Sequence, residues 1–302
     1  LCTELIVIEQ NTMQEKRRLL GMTLDELKEV AAQVGLPGYA AKQMADWLYK
    51  KKVTAIKEMT NIAVAKRTLL EESFEIGAVP PVDCMKSVDG TIKYLFAAGP
   101  GNFVESVYIP TNDRATLCVS SQVGCKMNCL FCMTGKQGFT TNLTSNQILN
   151  QIQSLPESDS LTNLVFMGMG EPFLNWDNVY KAIKLLNDKN GQNIGIRRIS
   201  LSTCGIAEGI RKLADSGLDI TLAVSLHAAT DSERSKIMPI NERIPLGELM
   251  AACSYYQKKA KKRVTFEYAL MAGKNDSAGN IMELKNLLKE LDCHVNIIPV
   301  NP

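Results

Sequence analysis

Residues 114–132 read Arg114-Ala115-Thr116-Leu117-Cys118-Val119-Ser120-Ser121-Gln122-Val123-Gly124-Cys125-Lys126-Met127-Asn128-Cys129-Leu130-Phe131-Cys132. The first half has strand character. The second half sets Cys125, Cys129 and Cys132 on a tight loop, with three and then two residues between them. Three thiolates so placed can hold three irons of a cubane cluster, because iron–sulfur centres are built from Cys thiolates. A closed cluster needs four, and no fourth cysteine follows at short spacing, so the fourth iron is left open for a substrate or cofactor. Two other readings stand behind this one. A zinc site would want paired Cys or Cys/His elements, and the two histidines, His227 and His294, are not at finger-like spacing. Buried structural cysteines would not ordinarily cluster at the end of a strand.

Downstream of Arg114, strands and helices alternate. Strands are expected at Ala115–Ser120, Asn163–Met167, Arg198–Ser202, Ile220–Ser225, Arg263–Leu270 and His294–Val300, with helices near 144–154, 177–188, 206–216, 246–259 and 278–290. Runs such as Leu164-Val165-Phe166-Met167 are apolar throughout, as parallel strands covered on both faces should be. The fold class is α/β, and six β/α repeats predict a partial (β/α)6 barrel. The polar and Gly-rich segments 124–138, 168–172, 202–205 and 225–228 fall on the loops after the strand ends, where barrel active sites lie.

Upstream, Val82 to Pro110 has period two around an Asp89-Gly90 turn, predicting a short antiparallel β extension. Residues 13–80 read as a small N-terminal helical domain, residues 81–113 as the β linker and residues 114–302 as the barrel. Thr23-Leu24-Asp25-Glu26 is a capping box opening the first helix; Tyr39–Tyr49 and residues 54–73 give two more. Residues 1–12 read as a leader or upstream segment, without the basic start and cleavage site of a secretion signal.

The chain has 302 residues, 45% hydrophobic and 22% charged, with a formal net charge of +2, which sets aside a globally basic nucleic-acid binder. Basic runs such as Lys50-Lys51-Lys52 are local and read first as solvated faces. No apolar run approaches the roughly 20 residues that span a bilayer. Nine cysteines in a chain of this length indicate metal chemistry rather than a disulfide scaffold, and a cytoplasmic setting. Cys2, Cys84, Cys253 and Cys293 read as ordinary small residues; Cys204 is less settled, because it lies beside a possible cofactor strand.

C-x3-C-x-aromatic-C on the loop after a first barrel strand resembles the signature of the radical S-adenosylmethionine (SAM) superfamily. The resemblance implies one [4Fe-4S] cluster on Cys125, Cys129 and Cys132, whose open iron chelates the amino and carboxylate groups of SAM, and places Phe131 near the adenine. In Met167-Gly168-Met169-Gly170-Glu171-Pro172 it assigns Gly170 and Glu171 to the methionine amino group. Ser202, Ser225, Leu226 and His227 end the third and fourth strands, and Asn301 completes the rim of the cofactor site. Taken singly, each hydroxyl is as readily a strand-end cap and His227 a satisfied polar residue.

The segments 104–110, 114–132, 167–172, 223–228, 238–241 and 296–302 are similar to the RNA adenine C2-methyltransferases of the RlmN and Cfr type, a likeness running from about Leu19 to Pro302. It implies methylation of adenine C2 in 23S rRNA and in a tRNA anticodon loop, a reductant such as flavodoxin or ferredoxin, no membrane partner and a monomer; the Cfr branch stays open. It further implies that one SAM methylates a C-terminal cysteine and a second generates the radical that activates that methyl. Glu105 maps to the acid–base residue. Cys118 maps to the thiol that resolves the adduct, forming a disulfide with the methyl-carrying cysteine. On residues alone Glu105 is a solvent-facing strand residue and Cys118 a core cysteine. The methyl-carrying cysteine lies in a segment beyond Pro302, and neither Cys253 nor Cys293 has a matching context, so this chain is expected to bind cluster and SAM without turning over. Two readings from other classes remain: a radical SAM activase of a partner protein, and a non-catalytic iron–sulfur RNA-binding module.

Overall fold

The computed structural model describes residues 16–299, so the upstream segment 1–12, Cys2 and Asn301 lie outside the described residues. The chain opens with β1 (Arg17–Arg18), α1 (Leu24–Gln33), α2 (Ala40–Ala45), α3 (Val64–Ser73) and β2 (Phe74–Glu75). Thr23 caps α1 as its sequence requires: its hydroxyl accepts from Glu26 N while Glu26 returns a carboxylate to Thr23 N at 2.7 Å. The second helix is shorter than its pattern, with α2 widening into a π-helical turn at Asp46–Lys50. The third is broken. Glu58 Oε1 accepts from Thr54 N and Ala55 N and closes a 3-10 turn at Ile56–Glu58, Thr60 and Asn61 turn the chain, and α3 restarts at Val64.

Next come β3 (Asp83–Lys86), β4 (Ile92–Ala97), β5 (Phe103–Pro110) and β6 (Ala115–Cys118), then β7 (Gln122–Gly124), α4 (Met133–Lys136), β8 (Phe139–Asn142), α5 (Ser145–Gln153) and β9 (Asn163–Phe166). The remainder alternates: α6 (Trp176–Asn187), β10 (Ile199–Thr203), α7 (Ala207–Asp215), β11 (Thr221–Ser225), α8 (Asp231–Ile237), α9 (Leu246–Ala260), β12 (Val264–Leu270), α10 (Ala278–Leu288) and β13 (Cys293–Pro299).

One nine-stranded sheet, ordered β13-β12-β11-β10-β9-β6-β5-β4-β3, carries the architecture. The six strands from β13 to β6 are parallel and form the partial barrel; β5, β4 and β3 continue the same sheet antiparallel, so the extension is fused to the barrel edge. Parallel strands feed their helices from one end, which gathers the loops after β6, β9, β10 and β11 at one rim.

The helical module and the barrel share one hydrophobic core, from Leu19, Leu27 and Met44 to Leu164, Leu201 and Phe266. Side-chain amides of α5 bolt the two together. Asn146 Nδ2 donates to Leu20 O and Gly77 O, both at 3.0 Å; Asn150 donates to Val79 O at 2.8 Å and accepts from Val79 N at 2.7 Å. These polar residues are buried yet satisfied.

Candidate active site

The loop with the three cysteines is held at its base by the β7–β8 hairpin. Gly124 sits at φ +73°, where a Cβ would stand 1.8 Å from Gly138 O, and Cys125 N donates to that same carbonyl at 2.9 Å. Only glycine allows the two backbones to meet this closely. Gly124→Ala is therefore expected to cost about 2–4 kcal/mol, combining left-handed strain with overpacking. Thermal melts and iron content after reconstitution check this; a variant that melts like the parent and loads iron fully would refute the close-approach argument.

The loop after β6 is wired by buried side chains. Gln151 Oε1 accepts from Ser120 N at 2.9 Å and Asn175 Nδ2 donates to Ser121 O at 2.8 Å. After β9, Gly170 stands at φ +101° with its Cα facing Gln122, whose Oε1 accepts from Glu171 N at 2.8 Å. These bonds deliver Glu171 into the barrel mouth, wholly buried. Its Oε1 accepts from Phe173 N at 3.1 Å and its Oε2 from Cys204 N at 2.7 Å. No lysine or arginine pairs with it among the described residues, and burial pushes its carboxyl above the usual range.

A cavity of about 240 Å³ opens where these strand ends converge. Cys125, Cys129, Cys132, Glu171, Ser202 and Ser225 line it, with Phe131 and Gly170 on its wall. Beside it lies a recess of about 590 Å³ that shares Phe131 and adds His227. The expected residues thus converge, with four exceptions. Leu226 is fully buried behind the wall, and its carbonyl serves Arg234. Cys118 ends β6, receives a backbone hydrogen bond from Met167 and has its thiol pushed up to about 11 by burial. Glu105 is half-exposed on β5 in a 2.9 Å pair with Lys93, outside the cavity. Asn301 lies outside the described residues.

The disulfide expected of Cys118 finds no support here: all eight described cysteines are free thiols, Cys118 stands opposite Val107 and Val165 in its sheet, and its expected partner is not among the described residues. Cys204 proves to be a fourth thiol on the cavity wall, buried like that of Cys129, as its position beside the strand allowed. Arg234 was missed altogether: it is fully buried on α8, close behind Cys204 and Ser225.

The donor chemistry fits a cubane. Three thiols face one cavity, burial raises those of Cys125 and Cys129 (the latter to about 12), and only a bound cation would hold them as thiolates. A cluster takes each thiolate on a separate iron, which suits three thiols spread round one cavity wall better than the paired Cys or Cys/His elements of a zinc site.

His227 stands two residues past β11 in the left-handed region at φ +60°, edge-on to Phe131 with ring centroids 4.7 Å apart. Its Nδ1 accepts from Ala269 N at 2.9 Å, and its carbonyl accepts from Asn275 Nδ2. Burial, helped by the Arg234 charge, drops its pKa from 6.5 to about 4. The unfolded chain therefore takes up a proton below pH 6.5 that the native ring refuses, and stability is lost as pH falls from 6.5 towards 4. Between pH 7 and pH 5 urea unfolding should lose about 2 kcal/mol from this residue, and His227→Gln should remove that slope. An unchanged slope in the variant would show that other groups titrate.

Residues 119–284 match the family model of the radical SAM superfamily, and residues 18–76 match that of the ribosomal RNA large subunit methyltransferase N-terminal domain. Over 95% of its length the chain is 60% identical to a Parabacteroides distasonis protein named "Probable dual-specificity RNA methyltransferase RlmN", covering 83% of that relative. The chain belongs to the RlmN family of radical SAM RNA methyltransferases. A Bacteroides thetaiotaomicron RlmN of the same printed name is 50% identical over the same shares. A crystal structure of a radical SAM methyltransferase from Sphaerobacter thermophilus superposes with a TM-score of 0.90 at 42% identity, over 95% of this chain and 86% of the other. The enzyme class is thereby radical SAM RNA methyltransferase, and its cofactors are those of the RlmN family, a [4Fe-4S] cluster and SAM.

Proposed function

We propose that the full-length protein methylates C2 of an adenine in 23S rRNA and in a tRNA. The observation that carries it is the convergence of Cys125, Cys129, Cys132 and the unpaired Glu171 on one cavity at the ends of β9, β10 and β11. When bound, the cluster supplies one electron to the SAM sulfonium, the chemistry needed because adenine C2 is too electron-poor for polar methyl transfer. Cys125, Cys129 and Cys132 are the residues that would hold the cluster. Glu171, buried without a counter-ion, accepts hydrogen bonds from the SAM ammonium through the lone pairs that Phe173 N and Cys204 N leave free. Ser202 and Ser225 take ribose or carboxylate oxygens, and Phe131 with His227 flanks the adenine. Cys118 and Glu105 serve as resolving thiol and acid–base group, with Lys93 holding the Glu105 carboxylate.

The module over residues 13–80, with Lys50 and Lys51 exposed on its surface and Lys52 tied to Asp159, contacts RNA phosphates, and the matched ribosomal RNA methyltransferase N-terminal family model supports RNA over a protein substrate. The target base must leave its stack to reach so enclosed a cavity. No helix of the described residues is long and apolar enough to cross a membrane. A cytoplasmic site, where RNA and low-potential flavodoxin or ferredoxin donors occur, completes the proposal. Anaerobic reconstitution followed by EPR with and without SAM tests the site, a SAM-shifted [4Fe-4S] signal being expected. Nucleoside analysis of 23S rRNA and tRNA treated with the full-length protein tests the substrate. 2-Methyladenosine supports the proposal, 8-methyladenosine moves the chain to the Cfr branch, and a cluster indifferent to SAM overturns the site.

A further inference from the structure

Arg234 is 0% exposed, the largest fully buried side chain described, and it pairs with no carboxylate within ion-pair distance among the described residues. All its hydrogen bonds go to uncharged oxygens. Nε donates to Leu226 O at 3.1 Å, Nη1 to Asn241 Oδ1 at 2.9 Å, and Nη2 to Cys204 O at 2.7 Å and Ser225 O at 3.1 Å. The nearby carboxylate of Asp231 spends Oδ1 on Asn241 Nδ2 and Leu246 N. A buried cation needs a counter-charge, since its desolvation is repaid only by an anion or dense hydrogen bonding.

Asp231 is one nearby anion; the others that a bound cluster would bring belong to the cavity. The forked nitrogen of Arg234 holds the carbonyl of Cys204, a cavity-wall residue packed in one apolar cluster with Cys129, Met238 and Ile240. Helix α8 also grips the cysteine loop directly, Ile237 O accepting from Leu130 N at 3.0 Å. The cavity wall itself bears Cys125, Cys129, Cys132 and Glu171 and no lysine or arginine. Burial lowers the guanidinium's pKa, and the neighbours that oppose this when they carry negative charge are Cys204 and Cys129, followed by Asp231.

We propose that Arg234 is the internal counter-cation of the iron–sulfur site, a positioning residue whose fixed charge makes the cluster easier to reduce. This rests on the cluster reading above. Reduction adds one electron from an external low-potential donor to the [4Fe-4S]2+ core and gives [4Fe-4S]+; no bond forms or breaks and no proton moves. With three thiolates the assembly passes from one net negative charge to two. A cation held at fixed distance in a low-dielectric surround favours the more negative state, and cluster potentials follow such charge and hydrogen-bond surroundings.

EPR-monitored potentiometric titration, run without SAM on the reconstituted parent, Arg234→Met and Arg234→Lys, tests it. Arg234→Met should show at least a tenfold lower reduced-to-oxidised ratio at a given applied potential, which for one electron is 59 mV. Arg234→Lys keeps the charge but loses the fork, and should stay within about threefold of the parent. An unchanged ratio in the Met variant overturns the proposal. So does an equal fall in both variants, which would make Arg234 a hydrogen-bond clamp only. If the Met variant assembles no cluster, the Lys variant decides alone: parent-like behaviour supports the counter-cation, and a tenfold fall overturns it. A parent protein without any cluster signal would overturn the site assignment beneath it instead.

Discussion

Replacing Cys129 by Ser should leave a folded protein that shows no SAM-responsive cluster signal. Its SAM cleavage should fall at least about a thousandfold, roughly 4 kcal/mol of barrier. Cys129 is the most enclosed of the three thiols assigned to the cluster. A serine hydroxyl, far less acidic and harder than a thiolate, cannot take its place on iron. Cys253→Ser makes the contrast. Cys253 is more deeply buried, on α9, but lines no part of the cavity, and burial pushes its thiol up to about 12. Serine there buries a hydroxyl with no arranged partner and should cost about 1–3 kcal/mol of stability while leaving the cluster signal intact. Paired melts and EPR spectra separate the two; a normal cluster in Cys129→Ser would remove that residue from the ligand set.

Glu171→Gln should separate stability from function in the opposite direction. The carboxylate is wholly enclosed, serves the N–H groups of Phe173 and Cys204, and has no cation beside it. A buried charge of this kind weakens the empty fold, so the neutral isostere should melt within about 1 kcal/mol of the parent, or above it. SAM binding should nevertheless fall about 100-fold, near 2.7 kcal/mol, because the ammonium of the ligand loses the charge that awaits it. Isothermal titration of SAM into the reconstituted variant, beside its melting curve, decides the matter. Parent-like affinity would mean that Glu171 only braces the loop after β9.

What could be read from the sequence, and what could not, divides on burial. The cysteine spacing, the apolar runs such as Leu164–Phe166 and the Thr23 capping box are local signals, and local physics decides them. Helix α8 is different: Asp231-Ser232-Glu233-Arg234-Ser235-Lys236-Ile237 has no apolar periodicity, and an arginine within it reads as surface. Only the tertiary fold, by presenting three carbonyls and Asn241 to its fork, makes Arg234 a core residue. The amides of α5 were hidden for the same reason. Asn146, Asn150 and Gln151 are polar in sequence and buried in the fold, their partners lying in other segments. Glu105 and Cys118 rest on resemblance, and neither lines the cavity that gathers the remaining residues.

The amide bolts on α5 have a thermodynamic consequence. Because Asn146 and Asn150 tie the helical module to the barrel through a continuous core, pulling the module away would strand buried donors and acceptors on both sides. Denaturation should then run as a single cooperative transition, with the amides of α1 exchanging hydrogen no sooner than those of the central strands. Damage anywhere in the module lowers the folded population of the whole chain, so the helical module and the radical SAM barrel rise and fall as one foldon.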